Sequence, residues 1–196
     1  MRYRLGVVAV IAVTVVACKS DTQSGSSADT AVAPKQDSVG AEATADQAPV
    51  SWTMTASGIG PLHTGMTSID AKLALKGFFT VDTLAGCREQ LLQGAPGKVL
   101  VTVVDGRVER FDTKDPAIMT ELGARVGDSE ARIESLYVGH VSIQPHKYLE
   151  KGHYLVVTPT APADSNKRII FESDGSKVFE YRAGMLPTVS FVEHCG

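Results

Sequence analysis

Gly65–Met66–Thr67–Ser68–Ile69–Asp70–Ala71–Lys72–Leu73, running on to Gly77, is one of two stretches that decide the fold; Gly127–Asp128–Ser129–Glu130–Ala131–Arg132–Ile133, running on to Gly139, is the other. Each places two glycines twelve residues apart around a short helical pattern. In the first, Thr67 caps the helix and Asp70 follows at capping-box spacing. In the second, Asp128 or Ser129 takes the cap and Glu130 complements the helix dipole. Ile69, Leu73 and Ala74 in one, and Ala131, Leu136 and Tyr137 in the other, are expected to form the half-buried faces. Gly77 and Gly139 are the expected stops.

Each helix is followed by a hairpin signal. Val99 to Val104 and Arg107 to Thr113 flank Asp105–Gly106, and Arg168 to Ser173 and Lys177 to Ala183 flank Asp174–Gly175. Asp-Gly between alternating β-branched runs predicts a type I′ turn, which requires positive φ. Further strands are expected at His140 to Gln144, Tyr154 to Pro159 and Val189 to Glu193, with a surface loop at Pro159 to Asp164. Gly94–Ala95–Pro96–Gly97–Lys98 lacks the spacing of a phosphate-binding loop and precedes a strand, so it reads as a turn. Helix then hairpin, twice, makes an α+β fold. It consists of tandem duplicated units of short helix plus antiparallel sheet, at about 57–116 and 120–196.

This globular part occupies 51–196 of the 196 residues, because the first 50 contain only Tyr3 of the aromatic residues. Met1–Arg2–Tyr3–Arg4 is a cationic start, and Leu5 to Ala17 is an apolar run interrupted only by Thr14. At that length it is a secretory signal rather than a membrane span, which needs roughly 20 apolar residues. Val15–Val16–Ala17–Cys18 resembles the lipobox of bacterial lipoproteins. That resemblance implies cleavage after residue 17, acylation of Cys18 and membrane attachment through the N-terminal lipid. Two or more acyl chains anchor stably, at about 0.8 kcal/mol per buried CH₂. Lys19 follows the Cys where an Asp would imply inner-membrane retention, so a Gram-negative source implies the outer membrane, facing periplasm or cell surface. Residues 18–50 are therefore the lipidated Cys and a tether. From Lys19 to Val50 there is no Leu, Ile, Phe, Tyr or Trp, and such a segment stays disordered. As a coil it spans roughly 30 Å.

Gly58–Ile59–Gly60–Pro61–Leu62 followed by Gly65–Met66–Thr67 resembles the opening of proteins related to β-lactamase inhibitor protein. The small barrel-assembly lipoproteins of the outer membrane share that opening and a similar helix-pair-plus-sheet unit. Gly127–Asp128–Ser129–Glu130–Ala131, His146–Lys147–Tyr148 and Gly152–His153–Tyr154 resemble a group of uncharacterised bacterial envelope proteins. The resemblance implies a tandem unit whose sheet presents a protein-binding face, and it carries over no single partner. A second Gly-Met-Thr is absent, so the repeat rests on spacing.

The formal charge of −3, with no Lys/Arg-rich stripe, argues against nucleic acid as a partner. With Cys18 lipidated, Cys87 and Cys195 form an even pair, which an oxidising envelope favours as a disulfide. The chemistry-bearing residues form no convincing catalytic set, and no cofactor fingerprint is present. Gly127–Asp128–Ser129 is similar to the nucleophile block of GDSL-type esterases, but no Asp-x-x-His follows, and a Ser without a positioned base is only a hydroxyl. Glu172 with Asp174, and Asp112 with Asp115, are read as solvated acids near hairpins. Of the histidines His63, His140, His146, His153 and His194, none is paired at the i, i+4 spacing of a helical zinc site. Leu149–Glu150–Lys151–Gly152 reads as a turn that gathers His146, Tyr148, His153 and Tyr154. Two histidines with Glu150 could hold a metal with a further ligand from elsewhere. The leading expectation is a non-catalytic module that binds an envelope or secreted protein through His146, Lys147, Tyr148, His153 and Tyr154. Inhibition of a secreted or envelope hydrolase, and glycan or metal binding at the same turn, are the alternatives.

Overall fold

Asp105 and Gly106 both take positive φ, 46° and 75°, as a two-residue type I′ hairpin requires. At the second Asp-Gly pair only Gly175 does, with φ 91°. There the Asp174 carboxylate instead accepts from Ser176 N and Lys177 N, so the loop is longer and strand pairing resumes at Ser173↔Val178. One dipeptide thus builds two different turns: the backbone makes the first, and a side chain makes the second.

The computed structural model describes residues 51–76 and 85–195. Cys18, the signal, the tether and Gly77 lie outside those residues. Its elements in chain order are β1 (Met54–Thr55), β2 (Gly58–Ile59), β3 (Leu62–His63), α1 (Ser68–Ala74), β4 (Cys87–Leu91), β5 (Leu100–Val104), β6 (Arg107–Thr113), α2 (Glu130–Leu136), β7 (Val141–Pro145), β8 (His153–Val157), β9 (Lys167–Ser173) and β10 (Val178–Met185). The three short strands β1–β3 make one sheet. The other seven make an antiparallel sheet in the order β4-β5-β6-β10-β9-β8-β7. This is an α+β fold. Among the described residues, no helix is long and apolar enough to cross a membrane.

Both helices attach to the sheet through the same set of bonds. The Thr67 hydroxyl accepts from Asp70 N, and the Ser129 hydroxyl accepts from Arg132 N. Ahead of the caps, Gly65 N donates to Val108 O while Val108 N donates to Met66 O. Gly127 N donates to Val178 O in the same way, and Val178 N to Asp128 O. Each helix start is therefore stitched to the strand that follows an Asp-Gly turn.

This stitching, rather than the count of apolar residues, sets the rotation of α1. Ser68 N donates to Gly106 O, which turns Ser68, Ala71 and Leu75 inward. Ile69 and Leu73, expected on the buried face, are 62% and 72% exposed, and Ala74 is exposed as well. In α2, Ile133 and Tyr137 are buried, Leu136 is half-buried and Ala131 is exposed. The helix side of the sheet carries the main core, where Val101, Phe111, Leu155, Phe171 and Tyr181 meet Met54, Leu62, Leu75 and Ile133.

The expected strand at Val189 to Glu193 does not form. Thr188–Ser190 is a single 3-10 turn, and the chain then runs as a strap to Cys195. Its carbonyls are taken by arginine side chains rather than by a neighbouring strand: Arg182 Nε donates to Val189 O at 2.7 Å, and Arg110 Nη1 to Phe191 O at 2.6 Å. A Cys87–Cys195 disulfide with Cα atoms 5.4 Å apart fixes the strap's end to β4.

Candidate functional site

The sheet face away from the helices is built of charge. Strand alternation places Arg110 and Asp112 of β6, Glu180 and Arg182 of β10, Glu172 of β9 and Tyr154 of β8 on this side. Arg110 and Arg182 are among the largest fully buried side chains in the protein. Buried guanidinium groups require carboxylate partners. Arg110 binds both oxygens of Asp112, its Nη2 lying 2.5 Å from Oδ1, and Arg182 binds Glu172. Asp112 and Glu172 are thus buried, not solvated as expected, because each is matched by an arginine that the strap covers. Burial raises the Asp112 pKa despite the opposing hydrogen bonds from Arg110.

His146 closes this network at the head of the β7–β8 hairpin. Its Nδ1 accepts from Tyr148 N at 3.1 Å and Leu149 N at 3.2 Å. With Nδ1 an acceptor, Nε2 carries the proton and donates to Glu172 Oε2 at 3.0 Å. The ring stacks on Tyr154 with centroids 4.5 Å apart, and the Tyr154 hydroxyl accepts from Lys147 N. One buried imidazole therefore holds the turn in a single shape. Burial raises the Tyr154 phenol pKa.

Of the five expected contact residues, this arrangement gathers His146, Lys147, Tyr148 and Tyr154. Tyr148 is 61% exposed, whereas Tyr154 is buried. Lys147 and the Tyr148 hydroxyl both bind Glu193 of the strap, Lys147 at 2.9 Å. Those two bonds, Tyr148 first, lower the Glu193 pKa from 4.5 to about 2. The Lys147 pKa is raised by its own contacts with Tyr148, first, and with Glu193. His153 lies on the opposite face, where its Nδ1 is 2.8 Å from Glu130 Oε1 of α2. Strand pleating separates it from His146, so the two histidines and Glu150 do not converge on a metal. Asp112, Glu180 and His194 do converge, with ligand atoms within 4.8 Å of one another.

A second polar cluster has no mark in the sequence. Ser57 donates to Asp164 Oδ1 at 2.8 Å, and Lys167 Nζ donates to both. These bonds hold the Asp164 pKa low, Lys167 contributing most. Ser57 and Asp164 line one end of a cleft of about 710 Å³ whose apolar walls include Leu122, Leu136, Val138 and Pro159. Ser57 and Asp164 stand 107 residues apart, so no spacing motif could reveal them. Because the carboxylate is a hydrogen-bonded, ion-paired acceptor, it is a weak base for a serine nucleophile.

No family model matches the chain, and no curated protein does. Among solved structures, the chain is similar to the uncharacterized protein YfeY from Escherichia coli, at 16% identity and a TM-score of 0.34. That match covers 69% of this chain and 98% of the other. It is also similar to an extracellular protein containing an SCP domain from Bacillus anthracis, at 9% identity and a TM-score of 0.40. There the match covers 63% of this chain and 44% of the other, so this chain spans under half of that protein's length.

Proposed function

We propose that this chain is a lipid-anchored cell-envelope protein that binds another protein without catalysis, using the head of the β7–β8 hairpin. The observation that carries the reading is the His146 lock. It presents Tyr148 and the 40%-exposed Leu149 on a turn already held in one shape. A preorganised aromatic turn loses little entropy on docking, which favours recognition. The reading also takes residues 1–17 as a lipoprotein signal and Cys18 as the acylated residue. Residues 18–50 then carry the domain away from the outer-membrane surface. The chain is further read as a tandem duplication akin to the helix-pair-plus-sheet lipoproteins, a view supported by the matching bonds at Thr67 and Ser129.

The test places a photo-crosslinking residue at Tyr148 and, as a control, at the exposed Glu134 on α2. Both proteins are expressed lipidated in cells. A discrete adduct from position 148 and none from 134 is the expected result. A folded protein that crosslinks nothing at 148 rejects the reading. Tyr154 is unsuitable for this purpose, since truncating a buried ring would damage the hairpin itself.

A further inference from the structure

We infer that Asp112, Glu180 and His194 form a binding site for a divalent first-row transition cation of the zinc class. Two carboxylates and one imidazole are the oxygen and nitrogen donors such ions take. Their ligand atoms lie within 4.8 Å of one another. Bond lengths of about 2.0–2.2 Å place donor atoms roughly 3–4 Å apart, so a small inward movement closes the site. Asp112 and Glu180 come from adjacent strands, β6 and β10. His194 comes from the strap and precedes Cys195, which the disulfide fixes to β4. The three donors are therefore held by rigid elements rather than by a free tail.

The groups behind each donor suit the same role. Arg110 holds Asp112 in place, and a carboxylate retains lone pairs for an ion beside such a partner. Lys114 binds Glu180 at 2.8 Å, but its side chain is 75% exposed and moves aside at little cost. His194 Nδ1 lies 3.0 Å from Glu89 Oε1, off the line a hydrogen bond needs, and that nitrogen is sealed from solvent without a hydrogen-bond partner. Carboxylate–histidine–metal triads have this composition, and a small rotation of the ring would align its N–H with Glu89 as the outer acid. The three donors also line a depression of about 330 Å³ bounded by Leu91, Leu100 and Lys98. That opening supplies a route for the ion and room for water at its remaining positions. Three protein ligands plus solvent is the pattern of an open rather than a closed zinc site. The assignment is independent of the hairpin reading above.

The test titrates the full chain, with its disulfide formed, against Zn²⁺ in competition with a chromophoric chelator. One equivalent should bind, and the affinity should fall by about tenfold or more in His194→Gln and in Glu180→Gln. His63→Gln/His140→Gln, which removes two exposed histidines, should leave it unchanged. Wild-type affinity in both ligand variants overturns the site, as does the absence of stoichiometric binding to wild type. A second measurement needs no variant: paramagnetic Co²⁺ should perturb the amide resonances of Asp112, Glu180 and His194 in the wild-type protein. Perturbation centred on His63 or His140 instead also overturns it.

Discussion

Glu193 is exposed, yet its titration should differ sharply from that of an ordinary glutamate. The Tyr148 hydroxyl and the Lys147 ammonium both bind its ionised form, which lowers its pKa from 4.5 to about 2. A depressed carboxylate favours the folded state above its unfolded value and loses that contribution as pH falls through the folded one. The strap's hold on the hairpin should therefore persist at pH 4.5 and release as pH approaches 2. Carboxyl NMR titration should show a midpoint near 2 for Glu193, moving toward 4.5 in Tyr148→Phe. A midpoint near 4.5 in wild type would mean that the contact is absent in solution. The sequence marks the His146–Tyr154 cluster through its turn and its aromatic content. It does not mark Glu193 as a partner, because a solvated acid near a chain end carries no periodic sign. Glu172 and Asp112 are hidden for another reason. An acid followed or faced by an arginine looks the same whether water or a strap lies above it.

At the scale of elements, capping chemistry is legible and orientation is not. Thr67 and Ser129 cap because a hydroxyl facing the third amide is a local event. Which face of a seven-residue helix is buried depends on the distant Gly106 and Val178 carbonyls that hold its start, and residue spacing cannot record them. The turns show the same division. Gly175 is needed for its φ of 91°, and also because a Cβ there would run into the carbonyl oxygen of Lys151 in the neighbouring hairpin. The β9–β10 loop and the β7–β8 turn therefore pack backbone to backbone. Gly175→Ala should cost more than about 1 kcal/mol, since the backbone conformation and the packing are both incompatible with a side chain. Gly65→Ala, also at positive φ but with open space around it, should cost less. Urea unfolding of the two variants separates these effects. Equal losses would show that conformation alone is at stake and that the two turns do not press on each other.

Over the whole molecule, the strap makes one unit of a sheet whose two ends have little else in common. It binds the β7–β8 hairpin through Glu193 and β4 through Cys195, crossing two buried arginines whose side chains take its carbonyls. The cysteine count makes the Cys87–Cys195 pairing legible. The element it fastens is not legible, because Val189 to Glu193 alternates like a strand while its hydrogen bonds go to guanidinium groups. Cross-linking residues 108 apart removes loop entropy from the unfolded chain. In the chain-entropy model this is about 4–5 kcal/mol, an upper figure where the unfolded chain keeps residual structure. Cys87→Ser/Cys195→Ser should lose up to that amount in urea unfolding and should free the strap before the sheet. Hydrogen exchange should then quicken at the amides of Ser190 and Phe191, which bond within the strap, while those of β8 and β9 keep their protection. If stability falls but the strap amides stay protected, the arginine–carbonyl bonds suffice to hold it and the disulfide acts on the unfolded chain alone. If the strap opens with little loss of stability, the sheet stands without it, and Arg110 and Arg182 tolerate water through their carboxylate partners.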